Sequence, residues 1–237
     1  MKKPYAHIKC PHCNEPHYDL NEIINVTGKL GRSNLFKYPH RMHQCASCRR
    51  TFRTDEQCVG IPEVSFIVAV AKNQNSLGKE FSVIGNKGGM PWERIPGDMG
   101  HFAKKTLGHT IVVGNSTFLK TPGFPLRDRQ HYVLSKAPIF PQPRATYTND
   151  PLHVFSSKPV DGKIIIIGGA SVYPLYSDLY SEAWVTYIDY ETTGDVKLDV
   201  STLLRKSGLI KTEEQRSITD CPYPYTIVHY QLSGATT

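Results

Sequence analysis

Ile164, Ile165, Ile166 and Ile167 follow one another without a break and run straight into Gly168 and Gly169. Successive side chains of a strand point to opposite faces of its sheet. An unbroken β-branched run is therefore covered on both faces, which is the pattern of a central strand in a parallel sheet. Similar short runs recur at 65–71 (SFIVAVA), 110–114 (TIVVG), 131–135 (HYVLS), 183–191 (AWVTYIDYE) and 225–232 (YTIVHYQL). Helix candidates lie between some of them, at 98–107, 116–121 and 170–177. Strand–helix–strand alternation predicts an α/β fold with a mainly parallel sheet.

With 237 residues the chain has room for one or two domains. Apolar residues make up 39% and charged residues 21%, a globular composition rather than a disordered one. No apolar run reaches membrane-spanning length, so no membrane partner is expected. The opening MKKPYAHIKCPHC has no apolar stretch behind its basic residues and does not read as a secretory signal, so the expected compartment is the cytoplasm. The charge is uneven. Residues 1–60 hold ten Lys/Arg against five Asp/Glu, which is +5 of the formal +7. That asymmetry predicts two units with different partners. The stretch from Thr54 to Glu63 lacks periodicity, contains Gly60 and Pro62, and reads as a linker between units at 1–60 and 62–237.

The first unit carries two Cys-x-x-Cys pairs, Cys10/Cys13 and Cys45/Cys48. Each pair lets two thiolates from one tight turn reach one metal, and two such turns complete a tetrahedral four-sulfur Zn²⁺ site. Apolar residues are sparse here, so a structural metal would supply much of the stability. His12, His17, His40 and His43 are alternative ligands, and CPHC alone also fits a redox motif, though without its βαβ context. Cys58 and Cys221 have no close partner in sequence and read as ordinary small apolar residues. Arg49, Arg50 and Arg53 flank Phe52 beside the second pair. Such a face grips nucleic acid or docks a protein partner, and a solvated surface around a structural zinc is the plainer reading.

In the second unit one acid stands out. Asp98 lies in GGMPWERIPGDMGHF, among Met90, Pro91, Trp92, Met99 and Phe102. If a helix starts at 97–98, Asp98 and Phe102 share a face. That face sets a carboxylate beside an aromatic ring, although a helix-dipole role for Asp98 fits the same position. Gly168 and Gly169 end the isoleucine strand and precede a short helix, where backbone can approach a phosphate-bearing ligand, or simply turn.

From about residue 64 to 232 the chain resembles the dihydrofolate reductase family. The matching segments come in the family's order: SFIVAVA, VIGNKGGMPW, IPGDMGHFAKKT, IVVGNSTF, PLRDRQHYVLS, IIIIGGASVY and VTYIDYETTGD. The resemblance implies that family's mixed, mostly parallel sheet flanked by helices, here preceded by a zinc-ribbon-like unit. It implies hydride transfer from NADPH to C6 of 7,8-dihydrofolate with protonation of N5 through water, feeding tetrahydrofolate to one-carbon and thymidylate synthesis.

Roles follow by the same resemblance. Asp98 matches the acid that binds the pterin edge, Thr186 the threonine linked to it, and Trp92 the tryptophan holding a nearby water. Ile67, Val68, Ala69, Met99, Phe102 and Ile167 match the pterin pocket. Leu126 matches the aminobenzoyl region and Arg129 the partner of the substrate's glutamate carboxylate. Met90 sits in the loop that closes over the nicotinamide, and Gly194-Asp195 in the loop that steadies it. Cofactor positions are matched by Ala69, Ile84, Gly114, Asn115, Ser116, Thr117, Leu134, Ser135, Lys136, Ile167, Gly168, Gly169, Ser171, Val172 and Tyr173. Two departures are visible. Asn115 stands where many members carry a basic residue near the cofactor's 2′-phosphate, with Lys136 as the alternative charge, and KNQNSLGKEF (72–81) is an insertion before the catalytic loop. The rival readings are a riboflavin-type reductase on the same fold and a zinc-ribbon binding protein with a non-catalytic reductase-like scaffold.

Overall fold

The computed structural model describes residues 63–73, 82–136, 144–156, 162–217 and 222–232, preceded by the backbone of six short strands. Those six fall into two small antiparallel sheets. Strand β1 (Ile8–Lys9) pairs with β2 (Pro16–His17), and β3 (Ile23–Asn25), β4 (Arg41–Cys45), β5 (Thr51–Thr54) and β6 (Val59–Gly60) form a four-stranded sheet in sequential order. The linker reading of 54–63 needs correction here. Val59 and Gly60 pair with Arg53 and Phe52, so backbone hydrogen bonding carries the small sheet into that stretch. Cys10, Cys13, Cys48, Cys58 and Cys221, and the side chain of Cys45, lie outside the described residues, as do His12 and His40, the side chains of His17 and His43, and residues 74–81.

A ten-stranded mixed sheet organises the rest. It comprises β7 (Val64–Asn73), β8 (Ser82–Gly85), β9 (Thr110–Gly114), β10 (Gln130–Leu134), β11 (Ala145–Thr148), β12 (Ile164–Gly168), β13 (Tyr180–Thr192), β14 (Val196–Leu198), β15 (Leu209–Ser217) and β16 (Tyr225–Leu232). The main order is β11-β10-β9-β12-β7-β13-β16-β15. From β11 through β13 every neighbour is parallel, and β16 and β15 add antiparallel pairs at one edge. The isoleucine strand β12 is central, between β9 and β7, with Ile164 and Ile166 fully buried. Double coverage explains its unbroken apolar run.

Among the described residues the helices are few: α1 (Pro96–Thr106), α2 (Asn115–Lys120), α3 (His153–Ser156) and α4 (Val200–Ser207). Proline opens α1, Asp98 lies in its first turn, and Lys104 and Lys105 lie in its last, so charge follows the helix dipole at both ends. The helix expected over 170–177 is a single 3₁₀ turn, Tyr173–Tyr176. Pro174 sits in its first turn, where its missing N–H costs nothing while its ring bars extension toward the N-terminus. The apolar core lies on both faces of the sheet. Its largest cluster joins Phe66, Tyr173, Tyr176 and Tyr180 to Leu203 and Leu204 of α4. Among the described residues, no helix is long and apolar enough to cross a membrane.

Candidate active site

Helix α1 delivers Asp98 to the sheet. Asp98 is 8% exposed, and the Thr186 hydroxyl on β13 donates to its carboxylate. Thr186 is itself 1% exposed and sits in register with Ala69 of β7 and Ile227 of β16. Burial pushes the Asp98 carboxyl above its ordinary value, and the Thr186 hydrogen bond only partly offsets that. A carboxylate held this way, with one neutral donor, is poised to accept from a cationic or amidine-like ligand edge.

Two apolar clusters flank the acid. On one side Trp92 packs with Ala71, Ile95, Ile188, Tyr225 and Ile227, with Ala69 against them. On the other, Ile67 packs with Ile111 and Ile165, joined by Phe102, Leu126, Ile167 and Trp184. Val68, by contrast, points into the main core, as the alternation of β7 requires. Met99 is 39% exposed and Met90 55% exposed, so neither is part of the closed wall. Arg129 is fixed by three donations: Nε to Thr106 Oγ1 at 2.9 Å, one terminal nitrogen to the Arg127 carbonyl at 2.7 Å, and the other to the Ala103 carbonyl at 2.8 Å. The last turn of α1 thus holds the Arg129 guanidinium in place.

A second group of residues converges at the carboxyl ends of the parallel strands, where open α/β sheets bind ligands. Gly114 ends β9 and Gly168 ends β12. The β12–β9 register slips between Ile166 and Gly168, and the Gly168–Gly169 peptide is cis. Gly168 adopts φ +138°, a region open chiefly to glycine. A Cβ on Gly169 would stand 2.9 Å from Thr117 Oγ1, and one on Gly114 would stand 3.2 Å from Val172 Cγ2 and 3.5 Å from the Gly169 nitrogen. These glycines therefore keep bare backbone open beside Thr117 and Val172. Asn115 Oδ1 is buried with no partner among the described residues, an acceptor left for a ligand hydroxyl or amine. Leu134 ends β10 opposite Gly114 of β9, and Ser135 and the exposed Lys136 follow it. This set fits a dinucleotide carrying a phosphate: glycine backbone for close approach, a free amide oxygen and an exposed ammonium. Ser116 and Ser171 are exposed at the same end. Tyr173 is buried and donates to the Ile67 carbonyl at 3.1 Å, so it braces β7 from behind.

Ile84, on β8, is half-buried against the main core, one residue from the turn that leads to Met90. That turn is tied down: the Lys87 N–H donates to both oxygens of Asp195 at 3.1 Å. Gly194 next to it faces Val83 and the Gly85 carbonyl so closely that no Cβ fits.

Several supporting residues were not legible from sequence. Tyr225 sets its hydroxyl against Gly97, at the residue before Asp98, so any side chain there would collide with it. At the other end of α1, Lys105 Nζ stands 3.5 Å from the Trp184 ring centroid, while His229 stacks on that ring at 3.8 Å. These contacts pin both ends of the helix that carries the acid. Among the described residues no cluster of His, Cys, Asp and Glu is arranged to hold a metal ion.

Comparison with known proteins supplies a family. The model described as dihydrofolate reductase matches residues 63–232. A dihydrofolate reductase of Bacillus subtilis is 29% identical over 179 residues, covering 73% of this chain and 96% of that relative. One of Mycobacterium leprae is 35% identical over 109 residues, covering 45% of this chain and 66% of the relative. Among solved structures, a dihydrofolate reductase from Enterococcus faecalis complexed with NADP(H) and RAB-propyl aligns with a TM-score of 0.57 at 22% identity. It covers 72% of this chain and 96% of the other.

Proposed function

The chain belongs to the dihydrofolate reductase family, and on that premise we propose that residues 62–237 form the reductase domain, with Asp98 reading the polar edge of the pterin ring of 7,8-dihydrofolate. The enzyme is an NADPH-dependent dihydrofolate reductase. The observation that carries the assignment of roles is the burial of Asp98 beside Thr186 between two apolar clusters. An ionised group is costly in such company unless a ligand repays the desolvation. A flat heteroaromatic ring with adjacent N–H donors does so, because it fills the slot and gives the carboxylate two hydrogen bonds.

In this reading Ile67, Ala69, Phe102 and Ile167 grip the faces of the ring, and Met99 lies at its exposed rim. Val68 is withdrawn from that wall, since its side chain belongs to the opposite face of β7. Leu126 and Arg129 hold the aminobenzoyl-glutamate tail. Gly114, Asn115, Ser116, Thr117, Leu134, Ser135, Lys136, Gly168, Gly169, Ser171 and Val172 hold the cofactor, with Ile84 and Tyr173 behind the nicotinamide end. When bound, the reduced nicotinamide supplies the hydride. The chain's own part is to orient the two rings and exclude water, which is where most of the rate is gained. The loop through Met90, steadied by Asp195, covers the ring, and Trp92 with Asp98 biases protonation of N5 by holding a water and negative charge nearby.

Residues 1–60 form a separate zinc-ribbon-like unit in this proposal. Cys10 and Cys13 fall in the chain between paired strands β1 and β2, and Cys45 ends β4 just before Cys48 and β5. Two Cys-x-x-Cys pairs, each next to a connection between antiparallel strands, support the reading of a four-thiolate zinc site. Its function is docking of a protein or nucleic-acid partner, and the compartment is the cytoplasm.

Oxidation of NADPH followed by absorbance, with dihydrofolate as acceptor, tests the reading on the full chain. Turnover with dihydrofolate supports it, and turnover only with a pyrimidine substrate of the riboflavin route overturns it. Metal analysis of the same preparation should return about one zinc per chain. A chain free of zinc and iron would remove the ribbon assignment without touching the reductase.

A further inference from the structure

His131 lies on β10 and is 0% exposed. The backbone N–H of Leu126 donates to its Nε2 at 3.0 Å. An amide N–H has nothing to accept with, so Nε2 must present its lone pair and the imidazole is neutral with its proton on Nδ1. Phe118 of α2 and Phe124 pack edge-on against the ring, each with centroids 5.9 Å away. They leave the ring no room to turn toward water. The short segment from Leu126 to Arg129 is therefore held at two points. The imidazole fixes its start, and the bonds from Arg129 to Thr106 and Ala103 fix its end.

We propose that His131 is a positioning residue for the substrate's tail: its neutral imidazole anchors Leu126 and so sets where the Leu126 side chain and the Arg129 guanidinium meet the aminobenzoyl-glutamate of dihydrofolate, and its protonation releases them. The inference rests on the reading of Leu126 and Arg129 given above. A protonated ring carries N–H at both nitrogens and would meet the Leu126 N–H donor to donor. Burial lowers the ring's affinity for a proton below its ordinary 6.5, the Arg129 and Arg144 carbonyls oppose that, and the Arg129 guanidinium adds to it. Arg129 is the charged side chain acting on the ring. The anchor is thus intact at neutral pH and is lost on the acid side.

The test uses the full chain with His131→Gln, whose side-chain oxygen can take the place of Nε2 and cannot titrate, and His131→Leu, which has no acceptor. Steady-state constants are measured from about pH 5 to about pH 9. Equilibrium binding is measured for dihydrofolate and for a pteridine without the tail. In the wild type, KM for dihydrofolate rises toward acid pH more steeply than in His131→Gln. In His131→Leu it is raised roughly tenfold at neutral pH, with kcat within about twofold, and the tail-less pteridine binds all three alike. Parallel KM profiles in wild type and His131→Gln overturn the proposal, and they decide it even if His131→Leu does not fold. A loss of tail-less pteridine binding equal to that of dihydrofolate also overturns it. A wild type that binds neither ligand overturns the reading of the whole site, and this inference with it.

Discussion

The hydroxyl of Thr186, at the middle of β13, donates to the carboxylate of Asp98 in the first turn of α1. The two residues are 88 positions apart in the chain, yet both are nearly closed to solvent. This link makes the acid part of the sheet's surface rather than a helix-end ornament, and the burial that it only partly offsets carries a cost in stability.

That cost is measurable. Burial raises the Asp98 carboxyl above 3.8, so the cost to folding builds as the pH rises from 3.8 to the folded-state value and is full above it. Below 3.8 the group is protonated in both states and the penalty vanishes. Asp98→Asn should therefore melt at a higher temperature than the wild type at neutral pH, and the gap should close as the pH falls toward that range. Thermal melts of both proteins across pH check the sign.

Glu182 behaves in the opposite way. Burial would raise its carboxyl, but hydrogen bonds from His229 at 2.8 Å and Lys163 at 2.5 Å prevail and hold it at about 2. A depressed value contributes stability that is present above the ordinary 4.5 and is lost as pH falls from there toward about 2. Glu182→Gln should cost roughly 1–3 kcal/mol at neutral pH, since it leaves the Lys163 ammonium and the His229 ring N–H without a carboxylate partner. Urea unfolding at several pH values reads the difference, which should shrink in acid.

Gly97 is constrained by Tyr225. Gly97→Ala should push the start of α1 away from the sheet, costing about 1–3 kcal/mol and displacing Asp98. Tyr225→Phe removes the hydroxyl that the methyl meets, so the double variant should recover part of the lost kcat/KM. A double-mutant cycle with no coupling between the two sites would show that the collision is not what matters.

On the cofactor side, Lys136 is an exposed cation two residues past the end of β10. Lys136→Ala should raise KM for NADPH about fivefold, as expected for one solvent-exposed ion pair, and leave KM for NADH unchanged. Equal effects on both cofactors would place the 2′-phosphate elsewhere.

How much of this could be read from the sequence depends on where the information sits. The central strands were legible because double burial forces a continuous apolar run, and β9 and β16 fell where the pattern put them. Strand β15, LIKTEEQRS, was not, since it is the sheet's edge and its outward side chains are polar. Strands β8 and β14 are four and three residues long, too short to show a period. Asp98 was visible as an acid in apolar company, and the Gly168–Gly169 pair as a place for close approach. What sequence spacing cannot reveal is a partner fixed by tertiary folding. The meeting of Tyr225 with Gly97 and the donation from Leu126 to His131 are of that kind. His131 stands next to Tyr132 in a strand-like run and carries no local sign that it braces a loop.

The most direct test of the central claim is the turnover of Asp98→Asn with dihydrofolate and NADPH at neutral pH, on protein whose melting curve and NADPH affinity match the wild type or better. The amide keeps the shape of the side chain but loses the charge that the pterin edge requires, so kcat/KM should fall by at least about 100-fold. A variant that turns over at the full wild-type rate would contradict the account.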